Sequence, residues 1–492
     1  MRRLSIPLPG LTPRFSGRPG CRPPVSRRGG ISRPGGLGRW RRRAVVAVCL
    51  CRWFGIGCAL WSPGGSVSAG ETEPRRLVLM TVHLHNRTSA PLRDVALRLP
   101  LPVTNAYQRV YGVDCAPVPF ETRDVPASGH IGLFRFPRIG AGESAWAFCL
   151  IDCRLRAFAP RRLARTPPLP RALRSACLGP GDKVNPAAPE VAAVAREIGP
   201  ADADRMQTAR RINDWLVAHC VYELDDEQLD AAGVLKARRG SCSELARAFA
   251  ALARHYGIPA RFATGSRLRV DTDGYTDRVH HRWLELYVRG YGWFPVDVSR
   301  NVVRAENSLR FGSIPARYLA LLRTAGLPED PLHATNFTLV NRDAAAALVR
   351  RVRFTWWRHD RDKVLRRLIR RIRSAASTPA RRRRLARTLL GRNDPAAAPF
   401  LAMLLYPPFS PETAESAARR LERIGPPHAL SPLVDRVAAD AVDPGGKEAQ
   451  LALERLTGKH LASGDEWRLW LRGAINRVYR RQDAEKIPPR VR

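Results

Sequence analysis

The spacing of apolar residues changes several times along the chain. Between residues 75 and 160 they fall in short alternating or continuous runs. Examples are Leu77-Val78-Leu79-Met80-Thr81-Val82-His83-Leu84, Val95-Ala96-Leu97-Arg98-Leu99, Leu133-Phe134-Arg135-Phe136 and Ala145-Trp146-Ala147-Phe148. Such runs, parted by turn sequences like Asn86-Arg87-Thr88-Ser89, read as strands. Their succession predicts a β-sandwich-like domain over 75–160. Residues 161–188, rich in Pro and Arg, read as a linker. From residue 189 the period becomes helical, with Val191, Val194, Ile198 and then Ile212, Trp215 and Leu216 on common faces. Residues 340–390 are Arg-rich. Their Leu365, Leu368, Ile369 and Ile372 fall at i, i+3, i+4 and i+7, which predicts basic amphipathic helices. Such helices either lie on an anionic membrane surface or dock their apolar stripe on neighbouring elements and leave the basic face to solvent.

Two ends of the chain alter this picture. Residues 1–69 contain many arginines and no acidic residue, and they include an apolar run from Ala44 to Trp61 broken by Arg52. The small residues Ser66-Val67-Ser68-Ala69 follow. A basic stretch, an apolar stretch and a small-residue site predict a signal peptide or membrane anchor, hence an exported or membrane-anchored protein whose later domains lie outside the cytoplasm. Arg52 makes the run a poor spanning helix. At the other end, Leu389-Leu390-Gly391, Arg423-Ile424-Gly425 and Leu456-Thr457-Gly458 each close an amphipathic segment at a near-regular spacing. This predicts an α-solenoid. Together with Asp465-Glu466-Trp467-Arg468-Leu469-Trp470, the stretch around Leu453–Gly458 resembles the ends of bacterial HEAT-like helical repeats, expected over 391–485. A protein partner on those repeats is implied.

Composition narrows the function classes. With 83 basic residues against 44 acidic ones, the formal charge is +39. That balance raises nucleic acid or an anionic membrane surface as partners. Lysine is scarce, however, and the Arg, Ala and Pro content is that of a GC-rich genome. No nucleic-acid fold signature appears, so nucleic acid is not the expected partner. The ten cysteines include no CxxC pair, which speaks against a zinc ribbon. Cys115, Cys149, Cys153 and Cys177 can pair if the protein is exported, or else serve as small buried apolar residues.

The informative segment is 233–299. Gly240-Ser241-Cys242-Ser243-Glu244 leads into Leu245, Ala246, Phe249, Leu252 and Ala253, a helical pattern beginning near Ser241. Cys242 therefore lies in a first helical turn, where unsatisfied N–H groups and the positive end of the dipole favour a thiolate. After Tyr256-Gly257, a strand follows Ile258-Pro259-Ala260-Arg261-Phe262. Next come His281-Arg282-Trp283-Leu284-Glu285-Leu286-Tyr287-Val288 and Trp293-Phe294-Pro295-Val296-Asp297, parted by the hairpin signal Gly290-Tyr291-Gly292. A loop at 288–290 places His281 directly opposite Asp297; a loop at 289–291 places them one diagonal apart. In either register the carboxylate reaches the imidazole and orients it, while the other ring nitrogen faces the thiol.

These four motifs, in this order, resemble the transglutaminase-like core of the papain-like superfamily. The resemblance spans about 110 residues within an expected domain at 189–330. It implies a catalytic triad of Cys242 as nucleophile, His281 as general base and acid, and Asp297 as orienting carboxylate. Trp283 marks His281, not its neighbour His280, as the family's position. Ser243-Glu244 departs from many relatives, which carry an acid directly beside the Cys. The expected fold is multidomain α+β, with a sandwich-like N-terminal domain, this core and a C-terminal solenoid. The expected function is thiol acyl chemistry on amide bonds of a protein or peptide substrate, as a cysteine peptidase or amidase without cofactor or metal. The alternatives are a protein-glutamine transamidase and an inactive scaffold for protein interaction.

Overall fold

The computed structural model describes residues 73–125, 129–223, 228–325, 338–339, 347–375, 378–439, 443–471 and 473–474. The first sheet-forming stretch supplies β1 (Arg75–Asn86), β2 (Leu92–Leu101), β3 (Gln108–Ala116), β4 (Glu121–Val125), β5 (Gly129–Ile139) and β6 (Ser144–Leu155). The central unit follows with α1 (Arg171–Leu178), α2 (Pro189–Ile198), α3 (Arg205–His219), β7 (Val221–Tyr222), α4 (Ala231–Ala237), β8 (Arg239–Gly240) and α5 (Cys242–His255). It continues through β9 (Ala260–Arg267), β10 (Tyr275–Asp277), β11 (His281–Val288), β12 (Gly292–Val296), α6 (Val298–Val303) and β13 (Tyr318–Thr324). Then come β14 (Thr338–Leu339), β15 (Leu348–Arg358), α7 (Asp362–Ala375), α8 (Pro379–Leu390), α9 (Ala398–Leu404), α10 (Pro411–Ile424), α11 (Leu430–Val437) and α12 (Pro444–Thr457).

Strand β1 explains the layering. Its run of apolar residues buries both faces, so it suits the middle of a sheet covered on two sides. Leu77 and Leu79 join Trp146, Phe148 and Leu150 of β6 in a core shared with the C-terminal helices. Val78, Met80, Val82 and Leu84 point the other way, against Val95, Leu97 and Leu99 of β2 and Phe134 of β5. The first sheet, in the order β10-β15-β1-β6-β3, is thus the middle layer between the sheet β14-β2-β5-β4 and the helices α7–α12. All these pairings are antiparallel.

Four expectations are corrected here. Residues 348–358, expected within the basic helical stretch, form β15, paired with β1 from Arg76↔Arg358 to Asn86↔Leu348. Leu348, Val352, Phe354 and Trp356 recur at even spacing and lie in the inter-sheet core; the arginines between them hid that period of two. The C-terminal helices end at Leu390, Ile424 and Thr457, where the glycines placed their ends. They do not form a free-standing solenoid, because their apolar faces close on β1, β3 and β6 as well as on one another. In α7 the stripe Leu365, Leu368, Ile369 and Ile372 is buried in this protein core, so it is not available to a membrane surface. The stretch 161–188, read as a linker, contains α1.

Cys115, Cys149, Cys153 and Cys177 are buried free thiols. The expected leader at 1–69 lies outside the described residues. Among the described residues no helix is long and apolar enough to cross a membrane.

The central unit has one antiparallel sheet, β12-β11-β9-β13, backed by α2–α5 around a single core. Helix α5 packs on β11 and β9 through Leu245, Phe249 and Leu252, which brings its N-terminus to the His281 end of β11.

Candidate active site

Cys242 opens α5, and its place there is fixed by the residues around it. Ser241 is the N-cap. The Glu244 carboxylate accepts the backbone N–H of Ser241 at 2.7 Å and that of Leu229 at 2.7 Å. Glu244, the departure from the family pattern, is therefore a helix cap that also holds the preceding loop. A Cβ on residue 240 would meet Glu244 Cβ at 2.9 Å, so the approach to the helix requires glycine.

His281 and Asp297 come from the hairpin. Val288 pairs with Gly292 and Leu284 with Val296, leaving the loop Arg289-Gly290-Tyr291. Of the two registers open to the sequence, this is the diagonal one. His281 Nε2 lies 2.6 Å from Asp297 Oδ2. Asp297 ends the hairpin and caps α6, its Oδ1 accepting Arg300 N–H at 3.0 Å and Ser299 O–H at 2.7 Å. Tyr318 O–H donates to Oδ2 at 2.6 Å, and the Arg267 guanidinium stands 4.0 Å away. The carboxylate is thus anchored from four directions. Sequence reasoning placed Asp297 but missed Tyr318, Ser299 and Arg267. The Asp-Val-Ser sequence before a helix is a capping signal that points to Ser299; Tyr318 arrives from β13 and has no local signal.

All three residues are buried, with exposures of 5% for Cys242 and 3% each for His281 and Asp297. Burial raises the carboxyl pKa, but His281, Arg267 and the Tyr318 hydrogen bond outweigh it and hold Asp297 far below its ordinary value. Burial opposes protonation of His281, yet the Asp297 charge and hydrogen bond, with the neighbouring Cys242, raise its pKa to about 9. For Cys242 burial again favours the neutral form. The hydrogen bond and charge of His281, the Arg282 N–H and the charge of Arg269 prevail and lower the thiol pKa. An ionised Asp297 accepts only, so Nε2 carries its proton to the carboxylate. Nδ1 has no other hydrogen-bond partner among the described residues and is the nitrogen left for the thiol. The Sγ itself lies 3.9 Å from the His280 carbonyl oxygen. His280 packs edge-on against Phe354 and takes no part in the pairing with Asp297.

This arrangement supplies a thiol poised to ionise, a base that becomes an imidazolium donor, and a carboxylate that holds the ring. The Cys242 N–H, at the first position of α5, can donate to a developing oxyanion. Among the described residues, Asp152, His359 and Asp362 cluster as metal ligands would. Asp152 is already held by Arg75 at 2.6 and 2.7 Å and by Arg366 at 2.9 Å, and Asp362 by Arg366 at 2.6 Å, so the cluster is a salt-bridge network.

The chain is similar in structure to a candidate cysteine protease from Cytophaga hutchinsonii, at 14% identity and a TM-score of 0.43, covering 59% of this chain and 92% of that one. It is also similar to the periplasmic domain of TgpA from Pseudomonas aeruginosa bound to ethylmercury, at 17% identity and a TM-score of 0.28, covering 50% and 94%. No curated protein matches the chain in sequence. The family match ends before the C-terminal helices and gives no support to a HEAT-like reading of them. It does take in α2–α5 and the hairpin, with Cys242, His281 and Asp297 inside it: residues 192–298 are a domain of the transglutaminase-like superfamily.

Proposed function

We propose that this protein is a thiol enzyme that cleaves amide bonds through an acyl-enzyme on Cys242, with water as acyl acceptor. It would act on a protein or peptide substrate as a cysteine peptidase or amidase. The observation that carries this reading is the His281 imidazole, held at 2.6 Å by a carboxylate on one nitrogen and left unpaired on the other, beside a helix-terminal thiol whose pKa it lowers. Attack of the thiolate on the carbonyl carbon would form a tetrahedral intermediate. His281 would protonate the leaving amine as the C–N bond breaks, then take a proton from water to release the acid. The basic leader with its apolar run supports export or membrane anchoring, which would place this chemistry outside the cytoplasm.

The test compares wild type with Cys242→Ala on casein and on a glutamine donor with a primary amine. We expect the variant to lose at least about 10³-fold in turnover, with peptide release as the wild-type product. Amine incorporation in its place would make the protein a transamidase. Equal turnover by both proteins would sink the enzyme reading and leave a scaffold.

A further inference from the structure

An acyl-transfer site needs hydrogen-bond donors where the carbonyl oxygen gains charge, and one backbone N–H is seldom enough. Cys242 N–H is one such donor. The polar side chains nearest the site are largely committed elsewhere. Tyr318 gives its hydroxyl to Asp297, and Tyr107 gives its own to Glu285. The Trp283 ring is fully buried beside His281.

Tyr222 is placed differently. Strand β7 runs parallel to β8, with Tyr222 in register with Gly240, two residues before the thiol. Val221 N–H donates to Arg238 O at 2.9 Å and Glu223 N–H to Gly240 O at 3.0 Å, so the backbone on both sides of Tyr222 is tied to the approach to Cys242. The same short strand packs against α6, the helix that Asp297 caps. Tyr222 therefore lies in the gap between the N-termini of α5 and α6, its ring half-buried on the core of the central unit.

We propose that the Tyr222 hydroxyl is the second oxyanion donor, opposite the Cys242 N–H. The inference rests on the thiol acyl-transfer reading above. As the Cys242 thiolate adds to the carbonyl carbon, the C=O electron pair moves onto oxygen, which accepts hydrogen bonds from Cys242 N–H and Tyr222 O–H. The pair returns as the C–N bond breaks, and His281 gives its proton to the departing nitrogen. Tyr222 keeps its proton throughout. Burial first, then the negative charges of Cys242 and Asp297, raise its pKa, so it remains a donor at any working pH.

The test separates two reactions of one sulfur. Acylation by p-nitrophenyl acetate, followed as a p-nitrophenolate burst, builds charge on a carbonyl oxygen. Alkylation by iodoacetamide displaces iodide and builds none there. In the full chain, Tyr222→Phe keeps the ring and removes the donor. We expect acylation to slow by about 10²-fold and alkylation at the same pH to stay within about twofold. Unchanged acylation would overturn the inference. So would a parallel fall in both rates, which would make Tyr222 a packing residue for the thiol. Absence of any burst in wild type would overturn the acyl-transfer reading and this inference with it.

Discussion

Between a thiol and a carboxylate, His281 is protonated more readily than a free histidine, with its pKa raised to about 9, while the Cys242 pKa is lowered. Thiolate and imidazolium stabilise each other within a buried site, and the Asp297 charge adds the larger part of the His281 shift. The pH dependence follows from the signs of the two shifts. The ion pair forms above the depressed thiol pKa and is lost as pH rises through about 9, where the imidazolium gives up its proton. Cys242 is therefore expected to alkylate with iodoacetamide at pH 6 faster than the other thiols among the described residues, and turnover is expected to fall through pH 9. Asp297→Asn removes the charge that sustains the imidazolium. Its alkylation rate at pH 6 should drop by roughly tenfold or more, the equivalent of one pKa unit, and should approach the wild-type rate at pH 10. A variant as fast as wild type at pH 6 would show that Asp297 does not govern the pair.

At the scale of elements, Glu285 joins three parts of the structure. It lies on β11 and accepts hydrogen bonds from Arg261 of β9 at 2.6 and 2.8 Å, Arg323 of β13 at 3.0 Å, and Tyr107 of the β2–β3 connection at 2.7 Å. Burial works against its charge, but the two guanidiniums and the phenol hold its pKa down at about 2 against 4.5 for an ordinary glutamate. A depressed carboxyl pKa stabilises the fold above the unfolded value and loses that contribution as pH falls through the folded one. Between about pH 4.5 and 2 the wild type should therefore lose stability on the order of 3 kcal/mol from this group. Glu285→Gln leaves two buried guanidiniums without their carboxylate and should cost about 3–5 kcal/mol at neutral pH, with a flatter acid limb. Denaturant midpoints across pH measure both, and an unshifted midpoint would refute the claim. The same elements show what was legible in the chain. The Cys242 helix and the 281–297 hairpin depend on contacts within about twenty residues, so caps, period and loop length revealed them. Tyr318 reaches Asp297 from β13, Tyr107 reaches Glu285 from the β2–β3 connection, and β15 pairs with β1 across more than 250 positions; no local pattern encodes such contacts.

At the scale of the whole molecule, the chain folds back so that its last third holds the segment leading to the Cys242 site. The connection from β9 to β11 leaves the central unit, adds β10 to the edge of the first sheet beside β15, and returns at His280, whose carbonyl rests against the thiol. Asp435 of α11 holds that excursion. It is buried and receives Arg278 from the connection at 2.6 Å, Arg351 of β15 at 3.7 Å, and Arg353 of the same strand. Three guanidiniums share one carboxylate, and burial and mutual repulsion hold the Arg353 pKa well below its ordinary value. Asp435→Asn should therefore cost about 3–5 kcal/mol, because Arg353 stays buried, with Arg278 and Arg351 beside it, without the counter-charge. A second effect belongs to the architecture. Releasing Arg278 should loosen the segment that ends on His280, so Cys242 in the folded variant should alkylate faster than in wild type at temperatures well below the melt. A lower melting point with an unchanged alkylation rate would mean that Asp435 stabilises the layers without governing access. A faster rate would mean that the C-terminal helices, through one aspartate, set how closed the thiol site is.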